Sequence, residues 1–323
     1  MTTAISVDLL TVGRVGVDLY PEQSGVPLAR VTSFAKSLGG TATNVAVAAS
    51  RLGRRTAVLT KVGPDGFGDY VRQALSEFGV DASYVGTVED LLTPVVFCEL
   101  DPPEDPPLLF YRLPQAPDLT LTEADVPWDL VRDVPVFWVT GTGVSVEPAR
   151  STQLAMLQHR GRPVGAHTVL DLDWRPMFWP QDAGGPEQAR EEYSAMLEHV
   201  SVVVGNRAEV EVAVGTADPD TAADRLLERG IELALVKMGG EGVLVATAEE
   251  RTVVAPHPVE VVCGLGAGDA FGGALVHGLL AGWEPNRIAQ HANAAGAIVA
   301  SRLACADAMP TIVELESLVG VTA

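Results

Sequence analysis

The chain reads Gly264-Leu265-Gly266-Ala267-Gly268-Asp269-Ala270-Phe271-Gly272-Gly273 where its pattern predicts that an apolar strand gives way to a helix. Alternate glycines let the backbone approach a ligand closely and aim successive N–H groups at one point. The start of a helix adds partial positive charge there. Together they make an anion hole able to hold a phosphoryl group, with Ala267 between two of its glycines and Asp269 in the first turn beside it. Two alternatives stay open. One is a glycine-rich turn followed by an ordinary N-terminal helix aspartate. The other is a dinucleotide-binding turn of an oxidoreductase, weakened because no acidic residue ends a strand about 20 residues further on.

Three further stretches carry candidate chemistry. Gly39-Gly40-Thr41-Ala42-Thr43-Asn44 precedes an Ala-rich helix and is either a tight turn with a Thr cap or a second ligand-facing turn. Gly13-Arg14-Val15-Gly16-Val17-Asp18 follows the first strand. Open α/β sheets bind ligands at strand C-termini, so Asp18 could accept hydrogen bonds from sugar hydroxyls; otherwise it is a turn aspartate. Asn206-Arg207-Ala208-Glu209 has the form of a capping box and, in the functional reading, organises Mg²⁺ and its waters. Both readings can hold at once. No P-loop, HExxH or GxSxG pattern occurs, and the six histidines show no metal-ligand spacing.

These residues must be positioned by alternating strands and helices. Apolar runs predict strands at Asp8–Val12, Thr56–Val62, Val136–Thr140, Thr168–Leu172, Val200–Val204, Leu233–Lys237 and Val243–Ala246. Helical patterns fall at Thr43–Leu52, Phe67–Phe78, Ala149–His159, Ala189–His199, Arg207–Val214 and Ala222–Arg229, with Gln181–Gln188 a polar loop between. Continuous Val/Leu strands separated by helices indicate a mostly parallel sheet covered on both faces, an α/β doubly wound fold in one domain spanning 1–323. Residues 14–37 and 92–115 break the alternation and read as antiparallel strands of one small β-lid outside the main sheet.

The 323 residues carry 22 Lys plus Arg against 42 Asp plus Glu, a formal charge of −20. Such a field repels nucleic acid and anionic lipid, so an anionic ligand needs a local positive site. At 47% hydrophobic the chain has ample material for a core. Cys98, Cys263 and Cys305 are too few and too scattered for a disulfide framework and point to a reducing compartment. The first ten residues lack a signal-peptide pattern. The apolar stretch Leu265–Trp283 carries Asp269 and His277, so it reads as a buried helix and not a membrane span. The expectation is a cytoplasmic protein.

Taken in this order over nearly the whole chain, the four glycine and acidic stretches resemble the ribokinase-like (PfkB) carbohydrate kinases. The resemblance implies an α/β/α sandwich with a β-lid, often a homodimer contact, and ATP with Mg²⁺ as cofactors. It implies that Asp269 accepts a sugar hydroxyl proton beside the Gly266, Ala267 and Gly268 amides, with Asp18, Gly39, Gly40 and Asn44 around the sugar. It places Asn206, Glu209, Lys237, Gly239, Gly242 and Asn293 around ATP, the adenine near Val259 and Asn293, and Mg²⁺ near Glu209 through water. Gly141-Thr142-Gly143, Asp171–Trp179 and Ser301–Pro310 resemble the 5-dehydro-2-deoxygluconokinase branch, and the second block is also similar to 2-keto-3-deoxygluconate kinases. The implied substrate is a keto-deoxy sugar acid, foremost 5-dehydro-2-deoxy-D-gluconate, with fructose or ribose as neutral alternatives. Arg175 and Arg112 would then grip its carboxylate. Many relatives carry oxygen side chains before the last glycine motif that help to hold a monovalent cation. Here Cys263-Gly264-Leu265 stands instead, and a potassium requirement is left open. An aspartate at a helix N-terminus is expected to be a weak base, with a pKa of ~3.9 or below. A loose phosphoryl transition state tolerates that.

Overall fold

The computed structural model describes residues 7–321 except 24, 105 and 181–183. The strands are β1 (Leu9–Val12), β2 (Gly16–Pro21), β3 (Phe34–Gly39), β4 (Thr56–Val62), β5 (Val80–Asp81), β6 (Val85–Thr87) and β7 (Val95–Cys98). They continue as β8 (Leu108–Tyr111), β9 (Val136–Thr140), β10 (His167–Asp171), β11 (Val202–Asn206), β12 (Leu233–Lys237), β13 (Val243–Ala246) and β14 (Arg251–Val254). The helices are α1 (Thr41–Arg51), α2 (Gly66–Glu77), α3 (Trp128–Asp133), α4 (Ala149–Arg160), α5 (Gly184–Leu197), α6 (Arg207–Val214), α7 (Pro219–Leu227), α8 (Ala267–Leu280), α9 (Pro285–Ala300) and α10 (Ile312–Val321).

The large sheet runs β14-β13-β12-β11-β10-β9-β1-β4-β5, with β6 also on β4. Its pairs are parallel apart from β12–β13 and β13–β14. Successive strand side chains point to opposite faces, so Trp138, Val202 and Val204 enter one core and Phe137, Val139 and Val203 the other. Helices α1, α2, α8, α9 and α10 cover the first face, and α3 to α7 the second. The glycine-rich side of α8 exists for contact: a Cβ on Gly273 would lie 2.3 Å from that of Ala48 in α1, and one on Gly272 2.8 Å from Trp138. Among the described residues no helix is long and apolar enough to cross a membrane.

The second sheet, β3-β2-β7-β8, is built from the two irregular regions. It is not wholly antiparallel as expected, because β2 and β7 pair in parallel. A whole β-α-β stretch separates those two strands, and a parallel pair needs a crossover of that kind. Two other expectations are corrected. Helix α5 begins at Gly184, so the expected loop survives at most over 181–183, which lie outside the described residues. No strand leads into the Gly264 motif either; residues 255–264 are irregular, with Pro256 and Pro258 unable to donate to a ladder.

Candidate active site

Two helix N-termini, both capped by glycines, open onto one hollow between the sheets. Gly266 caps α8 with φ +80, and a Cβ there would meet Cys305 Sγ at 2.9 Å. Gly40 caps α1 with φ +101, where a Cβ would lie 2.3 Å from the Arg14 carbonyl oxygen. The first bond of α8 joins the Ala270 N–H to Gly266 O at 2.9 Å, and the Ala267 N–H reaches Gly264 O only at 3.4 Å. The amides ahead of that first turn have no helical acceptor and lie at the positive end of the helix.

The hollow has two parts. A pocket under the lid is lined by Arg14, Asp18, Gly40, Asn44, Phe110, Arg175, Gly266, Asp269 and Cys305, among others. A cleft of about 740 Å³ continues from it past Asp171, Asp173, Asn206, Glu209, Lys237, Gly239 and Gly268. Gly266 and Asp269 belong to both walls, so the acid and the anion hole stand at the junction.

Burial raises the Asp269 pKa to about 6, although the Asn44 amide, donating to Oδ2 at 2.7 Å, works the other way. The expectation of a pKa at or below the ordinary aspartate value is thereby corrected: desolvation, with the Asp173 charge, outweighs the Asn44 bond and the Arg14 and Arg175 charges, and the group becomes a better base. Asp18, on the inward face of β2, is raised to about 7, again chiefly by burial. Gly39 makes room for it, since a Cβ there would fall 2.2 Å from Asp18 Oδ1. Burial also holds the Asp171 carboxyl well above its usual range. Burial works against the charge of Lys237, but Glu209, Asp171 and Asp269 raise its pKa above the ordinary lysine value. Its Nζ sits against the anion hole, 3.3 Å from where a Gly268 Cβ would be.

Asn206 and Glu209 form the capping box at the start of α6. Asn206 Oδ1 accepts from the Glu209 N–H at 3.0 Å, and Glu209 Oε2 accepts from the Asn206 N–H at 2.6 Å. Both nevertheless line the cleft, so capping and facing a ligand coexist.

Five expected residues line neither wall: Arg112, Asn293, Gly242, Gly39 and Ala267. Arg112 Nη2 pairs with the buried Asp118 at 2.8 Å, so its charge is already neutralised and it is not offered to a ligand. Asn293 donates to the carbonyls of Val254 and Ala255, anchoring the chain after β14. Gly242, at φ +95, packs where a Cβ would meet Val254 O at 2.1 Å. Cys263 does not face the cleft but clusters with Cys98, Cys305 and Tyr20. Two residues given no role from sequence are prominent: Arg14, and Asp173, whose Oδ2 accepts from Thr142 Oγ1 at 2.9 Å. Arg14 stands in the Gly13–Asp18 turn and Asp173 within the Asp171–Trp179 block, and those placements were the only signals available for them.

The model of the "pfkB family carbohydrate kinase" matches residues 7–312. The chain belongs to this family. It is therefore a phosphotransferase acting on a sugar hydroxyl, with the ribokinase-like fold. A relative from Photobacterium profundum, named 5-dehydro-2-deoxygluconokinase, is 34% identical across 94% of this chain and 92% of its own. The fructokinase of Vibrio cholerae O395, crystallised with fructose, ADP and calcium ion, superposes with a TM-score of 0.84 at 25% identity, covering 98% of this chain and 100% of that one. An E. coli structure in complex with ATP and Mg²⁺ gives 0.87 at 23% identity, over 98% and 99%. Nothing in the pfkB assignment supports the dinucleotide reading of the Gly264 turn, which is dropped.

Proposed function

We propose that this pfkB kinase transfers the γ-phosphoryl of ATP to the terminal primary hydroxyl of 5-dehydro-2-deoxy-D-gluconate. The observation that carries the choice of an acid sugar is Arg175. It lines both the lid pocket and the cleft, and its Nε–H is buried without an acceptor. The relatives' names point the same way.

In this reading the sugar lies under the lid with its hydroxyls toward Asp18, Gly40 and Asn44, and its terminal hydroxyl at Asp269. Asn44 orients the Asp269 carboxylate, which takes the hydroxyl proton as the O–P bond forms. The amides around Gly266 to Gly268, with Lys237 behind them, receive the charge that spreads over the transferring phosphoryl. ATP occupies the cleft, its phosphates toward Lys237 and Gly239. Lid residues Glu104, Pro106 and Pro107 border the cleft, and the Gly264 N–H donates to Pro103 O at 2.7 Å, which ties the lid to the turn ahead of α8.

The donor set fits a divalent cation. Acidic side chains outnumber basic ones on the cleft walls, Asp171, Asp173, Glu209 and Asp269 against Lys237 and Arg175, so a triphosphate there calls for further positive charge. Asp171, Glu209 and Asn206 carry the hard oxygens that would hold Mg²⁺, through water in the case of Glu209. When bound, that ion supplies neutralisation of phosphate charge.

The subunits would pair through the outer face of the lid, where the Phe34, Phe97 and Tyr111 rings meet edge to face and Leu109 and Tyr111 are exposed. Three unpaired thiols and a need for ATP suit the reducing cytoplasm.

The test is ADP release with a panel of 5-dehydro-2-deoxy-D-gluconate, 2-keto-3-deoxy-D-gluconate, fructose and ribose, with the phosphorylated position read by NMR. The expected result is a kcat/KM for the first at least about tenfold above every other, with phosphate on the terminal carbon. Preference for fructose or ribose removes the acid-sugar reading. Preference for 2-keto-3-deoxy-D-gluconate moves the enzyme to the neighbouring branch.

A further inference from the structure

Three charged side chains, Arg14, Asp173 and Arg175, meet where the lid pocket opens into the cleft. Asp173 stands between two guanidiniums, with Oδ2 3.5 Å from Arg14 Nη2 and Oδ1 3.1 Å from Arg175 Nη2. One carboxylate is shared by two guanidiniums, with Asp18 and Asp269 acting on Arg14 and Asp269, Asp171 and Glu209 on Arg175 from across the hollow. The hydrogen bonds fall short. Arg14 gives Nη2–H to Thr41 Oγ1 at 2.6 Å, yet its Nε–H has no acceptor, and neither does that of Arg175. Both nitrogens are buried, and buried N–H groups are ordinarily satisfied by protein, water or ligand.

The trio is held rigidly. Arg14 lies between β1 and β2, its side chain only 10% exposed, its guanidinium 5.7 Å from the ring centres of both Phe110 and Phe178. Those rings keep water away and strengthen any ion pair formed there. Asp173 adopts φ +34, a left-handed backbone that residues other than glycine rarely take. Thr142 fixes the carboxylate from the far side. Arg112 is also near Phe178, 5.1 Å from its ring centre, but is already paired with Asp118.

We infer that Arg14 and Arg175, set apart by Asp173, form a receptor for one ligand carboxylate, and that Arg14 is the residue that selects acid over neutral sugars. Asp173 is a positioning residue in this arrangement: it spaces the two forks. The inference rests on the acid-sugar reading above for the identity of the substrate, though not for the binding of a carboxylate.

The experiment uses the full chain and two probes of matched length, D-gluconate and D-glucitol, which differ by carboxylate against hydroxymethyl. Calorimetry on the wild type is expected to show gluconate bound at least about tenfold more tightly than glucitol. Arg14→Ala should weaken gluconate about 100-fold, within the range for removing one partner of a desolvated charge pair. Arg14→Lys keeps the charge without the fork and should recover only part of that loss. Melting temperature separates binding from folding; if Arg14→Ala fails to fold, Arg14→Lys and Arg14→Gln carry the comparison. Equal binding of the two probes by the wild type overturns the inference. So does a folded Arg14 variant that binds gluconate undiminished, or a selective loss that appears in Arg112→Ala instead. The panel assay keeps the two claims apart. Arg14-dependent gluconate binding without phosphorylation of any sugar acid sinks the proposed reaction and leaves the receptor standing. Phosphorylation of the acid sugar with no dependence on Arg14 does the reverse.

Discussion

Asn44 and Asp269, 225 positions apart, are joined by a 2.7 Å hydrogen bond from the amide of one to the carboxylate of the other. Each lies near the N-terminus of its helix, α1 or α8, and the small faces of those two helices pack together through Ala48 and Gly273. The two helix starts that open onto the hollow are thereby one rigid unit.

Replacing the base gives the most direct prediction. Asp269→Asn should lower kcat by about 10²–10⁴-fold, the usual contribution of a positioned acid–base group, with ATP binding retained. The wild-type kcat/KM should fall as pH drops through about 6, because the carboxylate is the working form and burial has raised its pKa to that value. Steady-state rates from pH 4.5 to 9 check both. Turnover by Asp269→Asn near the wild-type rate ends the assignment.

The Asn44 bond should be visible in the same profile. Its amide lowers the Asp269 pKa against burial, so in Asn44→Ala the acid limb is expected to move to higher pH, with kcat reduced at pH 6 more than at pH 8. A limb that stays in place shows that Asn44 does not govern this carboxylate.

The cap glycine of α8 should tolerate no side chain. Gly266→Ala must adopt φ +80 and bring a Cβ within 2.9 Å of Cys305 Sγ, costing about 1–3 kcal/mol and shifting the anion hole. Denaturant melts and single-turnover phosphorylation read the two effects. Unchanged stability and rate together contradict the account of this cap.

Much of the sheet was open to sequence reasoning because local pattern decides it. Leu233–Lys237 and Val243–Ala246 end where their apolar runs end, and α6 starts and stops at its capping box and at Gly215. The parallel pairing of β2 with β7, the start of α5 at Gly184 and the irregular chain before Gly264 escaped it. The β2–β7 pairing joins strands that lie far apart along the chain, so no local pattern encodes it.

The site divides in the same way. Asp269, Gly266, Gly268, Asn44 and Glu209 could be named from residue type, spacing and resemblance, since helix starts and glycine turns leave a local mark. Arg175 was named as well and lines both walls, but the second arginine of the pocket was not. Arg112 and Arg14 look alike along the chain, and only tertiary packing gives one of them Asp118 and the other a shared Asp173. The Asp269 pKa was also beyond sequence, because desolvation is set by what the whole fold brings around the carboxylate, and no stretch of neighbouring residues encodes it.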